Sequence, residues 1–472
     1  MRKGGAIHAS ARRISGVVAL LTAALQSAIG AATNPSSGGS ELPALTVCAN
    51  HHYLAEASTG KPFFMLADTA WNLNAVTDEE IETYLQDRHR HGFNTVMFCL
   101  NFFPQAAAEN AYGEKAYVGP DSTDLNPDYF AHVDRTLNAA ASLRLYVMLY
   151  AMWGGTKAGT MNTYTPEQLH ALGRRLGERY RAQPNVILCA GGESTPPYVD
   201  VDRVNAIGSG LKDGCDGKNL VVVHPCSNRS SSLALSDSPW LDIFMSQVKS
   251  GRGGESVDMT PYVASDFARS PARPTMLVEH RYEVGTHEDP VIQRRSLYLS
   301  TLSGACGYAY GHNALWQMSP HTAQKWMLTG WNPGASTWTE ALDTIAVDQL
   351  RHILPLLQSR PFFERIPDQS VILAGQSKEI ADRVVAARDG TLGQNDATYV
   401  LAYMASAKPL TLSTAVLPAK SLRISWFDPA TGETQLFKSD LPNPGTLELP
   451  APPAAHDWVV IVDDAAKRYA MP

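Results

Sequence analysis

The sequence predicts a (β/α)8 barrel of the TIM type followed by a small all-β sandwich domain. Between about residues 45 and 360, short apolar runs alternate with amphipathic stretches of helical period, which is typical of a parallel sheet surrounded by helices. After about residue 360 the pattern changes to short alternating strands separated by proline and glycine. A chain of 472 residues is long enough for both domains.

Eight apolar runs mark the barrel strands. They span residues 63–67, 95–100, 145–151, 186–190, 220–223, 243–246, 275–278 and 306–310. The predicted helices include 78–91, which begins with a capping box of Thr77 and Glu80, and 165–183, with Pro166 in its first turn. Eight such strand and helix units, within residues 45–362, close into a barrel whose ligand site lies at the carboxyl ends of the strands.

Residues 366–466 are predicted to form the sandwich. Short strands at 397–404, 421–427 and 458–462 are separated by turn sequences such as Asp428-Pro-Ala-Thr-Gly432. Regular short strands with this punctuation indicate two packed antiparallel sheets.

The N-terminus has the layout of a signal peptide. Basic residues at positions 2, 3, 12 and 13 precede an apolar run over 14–28, and small residues at 30–32 precede the predicted cleavage point. Residues 1–32 are therefore predicted to be removed, and the mature protein to be secreted or periplasmic. The pair Arg12-Arg13 also fits twin-arginine export, although ordinary signals contain such pairs. No later segment approaches the ~20 apolar residues of a membrane span.

Composition narrows the range of partners. With a net charge of -7 the chain has no basic field for nucleic acid, so we expect no such partner. Neither a CxxC nor an HExxH motif is present, so we predict no metal and no cofactor. Cys99, Cys189 and Cys306 lie in apolar runs and are expected to be buried thiols, whereas Cys215 and Cys226 could pair or stay free.

Two of the predicted strands lead directly to a glutamate. Glu193 follows the fourth run and two glycines, which remove side-chain bulk and let the backbone turn sharply, and Glu279 follows the seventh run. Carboxylates at these two strand ends suit a separation of ~5 Å, which retaining glycosidases use. We therefore predict Glu193 as the general acid/base and Glu279 as the nucleophile. The alternative is that either residue is an ordinary surface-loop glutamate.

Glu283, four residues beyond Glu279, is the rival nucleophile. We favour Glu279 because it directly ends the strand, and we expect Glu283 to orient a ligand hydroxyl or to pair with Arg281. Tyr282 could hydrogen-bond the nucleophile and keep it ionised, or simply pack in the core.

Polar and aromatic residues follow the other predicted strands, which favours a ligand rich in hydroxyl groups. The predicted substrate-binding residues are Asp68, Trp71, Asn101, Trp153, His224, Gln247, Tyr282, Glu283, His312, Asn313 and Trp316. A carboxylate such as Asp68 can accept two sugar hydroxyls, and Trp71 offers a flat face to the C–H surface of a sugar ring. Core packing of Trp71 and a structural role for His312 are the alternatives.

Several sequence blocks resemble the apiosidase-like glycoside hydrolases. They are Gly60-Lys-Pro-Phe-Phe-Met-Leu-Ala-Asp-Thr-Ala-Trp71, His91-Gly-Phe-Asn-Thr-Val96, Ala190-Gly-Gly-Glu193, Glu279-His-Arg-Tyr-Glu283 and Leu302-Ser-Gly-Ala-Cys-Gly-Tyr-Ala-Tyr-Gly-His-Asn-Ala-Leu-Trp-Gln317. The blocks Trp426-Phe-Asp-Pro-Ala-Thr-Gly-Glu433 and Asp457-Trp-Val459 resemble the collagen-binding-type sandwich often joined to that barrel.

This resemblance implies an acid after the glycines of the fourth strand and a nucleophile within residues 279–283. Members of the family usually carry aspartate where this chain has Glu193, and the extra methylene moves the proton donor outward by about one bond. That departure bears on apiose specificity more than on hydrolysis.

Two functions follow as hypotheses. The first is an exported retaining glycoside hydrolase acting on poly- or oligosaccharide side chains of plant type, with two carboxylates supplying all the proton chemistry. The second is a carbohydrate-binding or adhesive protein whose barrel has lost catalytic activity. This alternative remains because position 193 carries glutamate instead of the family's usual aspartate. A peptidase is disfavoured, because the sequence has no serine elbow or metal motif.

Overall fold

The computed structural model describes residues 42–100, 102, 109–118, 123–154, 160–248, 257–318 and 336–472. The predicted signal peptide and the site candidate Asn101 lie outside these residues. Residues 42–472 form one compact unit that contains both predicted folds.

A parallel sheet of eight strands forms the core of the first fold. Before it, a small antiparallel sheet contains β1 (Leu45–Val47), β2 (Leu54–Glu56) and β3 (Pro62–Phe63). The parallel strands are β4 (Met65–Thr69), β5 (Thr95–Cys99), β6 (Tyr146–Tyr150), β7 (Val186–Cys189), β8 (Val221–Val222), β10 (Phe244–Gln247), β11 (Thr275–Glu279) and β12 (Gly307–Tyr310). β9 (Arg229–Ser230) pairs antiparallel with β10.

The sheet curls so that its first and last parallel strands are neighbours. β4 pairs with both β5 and β12, and the order runs β8-β7-β6-β5-β4-β12-β11-β10-β9. Among these strands the ladder is interrupted between β8 and β10, where the Asp242 amide donates to the Val221 carbonyl at 2.9 Å. The Asp242 carboxylate accepts from the Val221 amide at 2.7 Å and binds Lys212. All eight predicted strand positions therefore carry strands of a (β/α)8 fold.

Helices connect successive strands. They are α1 (Asp78–Arg90), α2 (Pro127–Ser142), α3 (Pro166–Tyr180), α4 (Val201–Gly214), α5 (Ser232–Leu235), α6 (Thr260–Phe267), α7 (Val291–Leu302), α8 (Asn313–Gln317), α9 (Ile345–Leu350) and α10 (Ile353–Gln358). Short 3-10 turns occupy Leu73–Ala75, Thr160–Thr163, Gln369–Val371, Ile380–Asp382 and Ala465–Lys467. No helix in the described part of the chain is long and apolar enough to cross a membrane.

Local sequence fixes where the predicted helices begin. The Thr77 hydroxyl accepts from the Glu80 amide, and the Glu80 carboxylate accepts from the Thr77 amide at 2.9 Å, which is the predicted capping box. Thr165 and Gln168 form a second capping box at the start of α3, where Pro166 occupies the first turn. These reciprocal bonds satisfy amide groups that a helix N-terminus leaves unpaired.

Helices α3 and α4, on either side of the fourth strand position, approach each other through glycines. A Cβ on Gly173 would lie 2.4 Å from the Ile207 carbonyl oxygen, and one on Gly210 would lie 2.2 Å from the His170 carbonyl oxygen. Only glycine allows the two backbones to pack this closely.

The second fold is all-β, as predicted. A six-stranded sheet contains β13 (Ile366–Pro367), β15 (Val384–Arg388), β16 (Tyr399–Met404), β21 (Trp458–Asp464), β18 (Ser421–Phe427) and β19 (Thr434–Pro442), in that order. A three-stranded sheet contains β14 (Ile372–Ala374), β17 (Leu410–Ser413) and β20 (Thr446–Leu449). Their facing apolar side chains form a core of their own.

All six cysteines are free thiols. Cys226 Sγ donates to the Thr195 carbonyl at 2.8 Å, whereas Cys215 Sγ lies 3.5 Å from the Lys212 carbonyl. The two residues that could have formed a disulfide are therefore both buried and separately bonded. Cys99, Cys189 and Cys306 are buried thiols, as predicted.

Candidate active site

Glu193 and Glu279 lie at the carboxyl ends of β7 and β11 and are both almost buried, with 8% and 4% of their surface exposed. Gln247, which ends β10, connects them. Its Cα is the register partner of Glu279, while its side-chain amide donates to Glu193 Oε1 at 3.0 Å. The two carboxylates therefore belong to one site at the mouth of the sheet.

Glu193 is held in an unusual backbone conformation. Its φ is 46°, in the left-handed region that residues with a Cβ rarely adopt. The Ser227 hydroxyl donates to Glu193 Oε1 at 3.2 Å, beside the amide of Gln247. Backbone strain of this kind costs about 1–3 kcal/mol and persists where the surroundings fix the residue. The contacts of Ser227 and Gln247 are part of that fixation.

The two glycines before Glu193 make room for neighbours. A Cβ on Gly192 would lie 1.9 Å from the Trp153 ring, and one on Gly191 would lie 2.4 Å from the Ser194 hydroxyl. They remove bulk as predicted, but the left-handed turn falls on Glu193 itself rather than on a glycine.

Glu279 is surrounded by His224 and Tyr282. His224 Nε2 lies 3.3 Å from Glu279 Oε2 without the alignment of a full hydrogen bond, and the Tyr150 hydroxyl lies 3.3 Å from His224 Nδ1. Burial raises the pKa of Tyr282 well above its usual range, and the negative charge of Glu279 and, more weakly, that of Glu193 raise it further. Both carboxylates thus act electrostatically on the same phenol.

Tyr282 is in turn fixed by Trp71 and Gly311. Its hydroxyl accepts a hydrogen bond from Trp71 Nε1 at 3.0 Å. A Cβ on Gly311 would lie 2.5 Å from the Tyr282 ring, so glycine is needed here for packing.

Aromatic rings form one wall of the site. Trp71 lies 4.9 Å from Trp153 between ring centroids, and Phe102 lies 4.8 Å from Trp153 and 5.7 Å from Trp316. Asn313 orients this wall, since its Oδ1 accepts from Trp316 Nε1 at 3.3 Å. Such rings present apolar faces that can stack on the C–H surface of a sugar.

Asp68 does not reach the site, which corrects the prediction that it binds sugar hydroxyls. It is fully buried and accepts from the Tyr84 hydroxyl at 2.7 Å, the Arg88 guanidinium at 3.3 Å and the Thr69 amide at 2.9 Å. Burial raises the pKa of Asp68 to about 6, although the charge of Arg88 opposes the rise. The carboxylate oxygens of Asp68 therefore accept hydrogen bonds from groups inside the protein.

His312 is also structural. It caps the N-terminus of α8, where its Nδ1 accepts from the Ala314 amide at 2.9 Å, and its Nε2 donates to the Gly285 carbonyl at 2.8 Å. Burial lowers the pKa of His312 to about 4, so the ring stays neutral. With both ring nitrogens engaged, the prediction that His312 holds substrate is wrong.

Glu283 lies behind the site rather than in it. Its carboxylate accepts from the Tyr310 hydroxyl at 2.6 Å and the Thr344 hydroxyl at 2.9 Å, and only 1% of the residue is exposed. Burial raises the pKa of Glu283 to about 7. Arg281 pairs with Glu288, and the Glu283 carboxylate is occupied by two protein hydroxyls.

Of the other predicted site residues, Trp71, Trp153, His224, Gln247, Tyr282, Asn313 and Trp316 surround the two carboxylates or their aromatic wall. The sequence reasoning missed Ser227, Tyr150 and Phe102. Ser227 could have been found from its place three residues after His224. In the described residues, no cluster of three or more His, Cys, Asp or Glu side chains is arranged to hold a metal ion.

Comparison with known families places these residues in context. The model of the apiosidase-like catalytic domain matches residues 48–364, two thirds of the chain, and contains every site residue named above. The chain belongs to the apiosidase-like family. A second model, described as "Putative collagen-binding domain of a collagenase", matches residues 366–463. No curated protein matches the chain.

Solved structures resemble this apiosidase-like protein over nearly its whole length. One described as a glycoside hydrolase is 26% identical, with a TM-score of 0.78, and the match covers 91% of this chain and 98% of that one. A family 5 glycoside hydrolase from Bacteroides vulgatus is 25% identical, also with a TM-score of 0.78, covering 90% and 95%. The barrel is thus a glycoside hydrolase-like domain, for which a carbohydrate is the implied substrate.

Proposed function

We propose that this protein is an exported, retaining glycoside hydrolase that cleaves sugar side chains from plant-type polysaccharides, with apiose as the first candidate sugar. The observation that carries the proposal is the pair of nearly buried carboxylates, Glu193 after β7 and Glu279 at the end of β11, both in contact with Gln247, which ends β10 next to β11. Two carboxyl groups on one cavity are the minimum equipment for glycoside hydrolysis.

In the first step, Glu279 is the nucleophile and Glu193 the acid. The Glu279 carboxylate attacks the anomeric carbon while Glu193 protonates the glycosidic oxygen, so the C–O bond breaks and a glycosyl ester of Glu279 forms. In the second step, Glu193 removes a proton from water, the water oxygen attacks the anomeric carbon, and Glu279 leaves as a carboxylate. Protons and charges balance over the cycle.

The surroundings of Glu279 support its role. His224 Nε2, at 3.3 Å, is positioned to favour the negative charge whenever it carries a proton, and the bond from Trp71 to Tyr282 holds the phenol nearby. Glu193 receives its orientation from Ser227 and Gln247. The two carboxylates therefore have different partners, as different roles require.

The aromatic wall supports a sugar as the bound group. Trp153 and Trp316 keep 8% and 6% of their surface exposed, so neither residue is wholly enclosed. Export is supported by the basic, apolar and small-residue pattern of residues 1–32. Mass spectrometry of the protein collected outside producing cells tests export, and an intact N-terminus retained in the cytoplasm would contradict it.

Hydrolysis is tested by screening the mature protein on pectic and hemicellulosic oligosaccharides and identifying each released sugar. Glu193→Gln and Glu279→Gln are expected to lose turnover, and Glu283→Gln serves as the matched control because its carboxyl lies outside the site. With an activated aryl glycoside, Glu193→Gln should give a burst of aryl alcohol, since the glycosyl ester forms but hydrolyses slowly.

Stereochemistry tests the retaining mechanism. Proton NMR of the first product formed should show the anomeric configuration of the substrate. An inverted product would exclude the glycosyl ester on Glu279. Background sugar release, equal in the parent and both variants on every substrate, would instead favour the carbohydrate-binding hypothesis.

A further inference from the structure

Helix α7 (Val291–Leu302) lies between the segment after Glu279 and the C-terminal sandwich. The two residues that follow Glu279 are His280 and Arg281, and both are bonded to α7. The Ser296 hydroxyl lies 2.8 Å from His280 Nδ1, and the Gln293 amide donates to the Arg281 carbonyl at 3.0 Å. α7 therefore holds the backbone immediately beyond the proposed nucleophile.

The contact with His280 has a defined direction. His280 Nε2 lies 3.1 Å from the Val257 carbonyl, which can only accept, so this nitrogen carries the proton. Burial lowers the pKa of His280 to about 4, so the ring is neutral and Nδ1 accepts from Ser296. The other α7 contact is fixed as well, because the Tyr308 hydroxyl donates to Gln293 Oε1 at 2.9 Å.

The sandwich fixes the same helix from outside the barrel. Arg294 of α7 makes a two-pronged contact with Asp457, with Nη2 at 2.5 Å from Oδ1 and Nε at 3.1 Å from Oδ2. Asp457 is fully buried and also accepts from the Tyr403 hydroxyl at 3.1 Å. Tyr298 of α7 stacks on Tyr403 with ring centroids 5.2 Å apart. A bidentate buried pair of this kind fixes geometry more tightly than a surface ion pair.

We propose that the C-terminal sandwich is a positioning element for catalysis, in which Asp457, acting through Arg294 and α7, fixes the backbone after Glu279 and so the nucleophile itself. This inference rests on the proposed function for its effect on turnover. Asp457 touches neither substrate nor reacting atoms, so it is a positioning residue. The physical link runs from Asp457 to Arg294, along the α7 backbone, and from Ser296 to His280.

The chain offers a matched control in a second pair between the folds. Arg360 contacts Asp463 of β21 through Nε at 3.0 Å and Nη2 at 2.9 Å, and both side chains are about 1% exposed. This pair resembles Arg294 and Asp457 in chemistry and burial, but Arg360 lies beyond α10 and not on α7. Asp463 also accepts from Arg423 Nη2 at 2.7 Å, so a purely structural role of the sandwich predicts that changing Asp463 has effects at least as large as changing Asp457.

The experiment compares Asp457→Asn with Asp463→Asn in the full chain. Both variants are expected to lower the melting temperature. Only Asp457→Asn is expected to lower kcat, by about tenfold or more with KM changed less than about twofold, since misplacing a catalytic group by about 1 Å costs roughly 100-fold. Ser296→Ala removes the contact with His280 at the barrel end of this link. It should likewise lower kcat while changing KM little.

Hydrogen exchange supplies a readout that does not need turnover. Amides of residues 279–284 should exchange faster in Asp457→Asn than in the parent and in Asp463→Asn. Parental kcat and parental exchange in Asp457→Asn, or equal losses in both variants, would overturn the inference while leaving hydrolysis intact. If the parent turns over no substrate, the proposed function fails, and exchange at 279–284 alone decides whether the sandwich fixes this segment.

Discussion

Replacing Glu283 by glutamine tests how strongly the barrel keeps a buried carboxyl group neutral. Glutamine has the same shape and retains an oxygen that can accept from the Tyr310 or Thr344 hydroxyl. Unlike glutamate, it carries no charge at any pH. The variant therefore isolates the free energy of burying the ionised form.

The sign and size of the effect follow from the pKa of Glu283. Burial raises it from 4.5 to about 7, so between these values the folded protein binds more protons than the unfolded chain. The free energy of unfolding of the parent is therefore highest, as far as Glu283 is concerned, below about pH 4.5. It decreases as the pH rises from there towards about 7. Because one pKa unit is worth about 1.4 kcal/mol, the loss amounts to about 3 kcal/mol. Glu283→Gln removes this loss.

The measurement is urea denaturation followed by tryptophan fluorescence at several pH values from 4.5 to 8. At pH 4.5 the variant and parent should unfold with free energies within about 1 kcal/mol, and at pH 8 the variant should be more stable by about 3 kcal/mol. Asp68, whose pKa is raised to about 6, adds a loss of the same sign, but it is present in both proteins and cancels in the difference.

Tyr310→Phe provides a counter-variant of opposite sign. Removing its hydroxyl takes a donor from the ionised Glu283 carboxylate, which costs about 1.5–3 kcal/mol at pH 8 and less at pH 4.5. A difference between Glu283→Gln and the parent that does not change with pH would refute the reasoning. So would a variant that gains stability mainly at pH 4.5.

Two further predictions concern the surroundings of Glu193. Gly192→Ala places a Cβ 1.9 Å from the Trp153 ring, and we expect a stability loss of about 1–3 kcal/mol with weaker substrate binding; an unchanged melting temperature and KM would contradict this close packing. Gln247→Leu removes the 3.0 Å bond to Glu193, and we expect kcat to fall about tenfold because the proposed acid/base loses a contact that orients it. Ser227→Ala, with the longer 3.2 Å contact, should have the smaller effect in the same steady-state assay, and the reverse order would contradict the assignment.

The fold could be predicted because its signals are local. A buried parallel strand is a continuous apolar run, so all eight strand positions are visible in the sequence. The starts of α1 and α3 are equally local, since the bonds of Thr77 and Thr165 reach only three residues along the chain. The two-residue β8 is shorter than its apolar run, and Asp242 bonds Val221 through its backbone amide and its carboxylate where the ladder to β10 is interrupted.

The functional site could be predicted only in part, since partners distant in sequence decide the role of a strand-end side chain. Asp68 follows the same kind of apolar run as Glu279, but Arg88, twenty residues later, binds it inside the protein. Glu283 is engaged by Thr344, sixty-one residues further along. A run of residues tells which side chain ends a strand, and not which group faces it across the fold.

The close approach of Trp71 and Trp153 gives the protein an optical signature of its own. Two indole chromophores 4.9 Å apart and tilted by 59° are near enough for their electronic transitions to couple. Coupled transitions of this kind produce a paired positive and negative band in circular dichroism. We therefore expect the two rings to serve as a label-free reporter, whose paired band changes when a bound ligand alters their mutual angle.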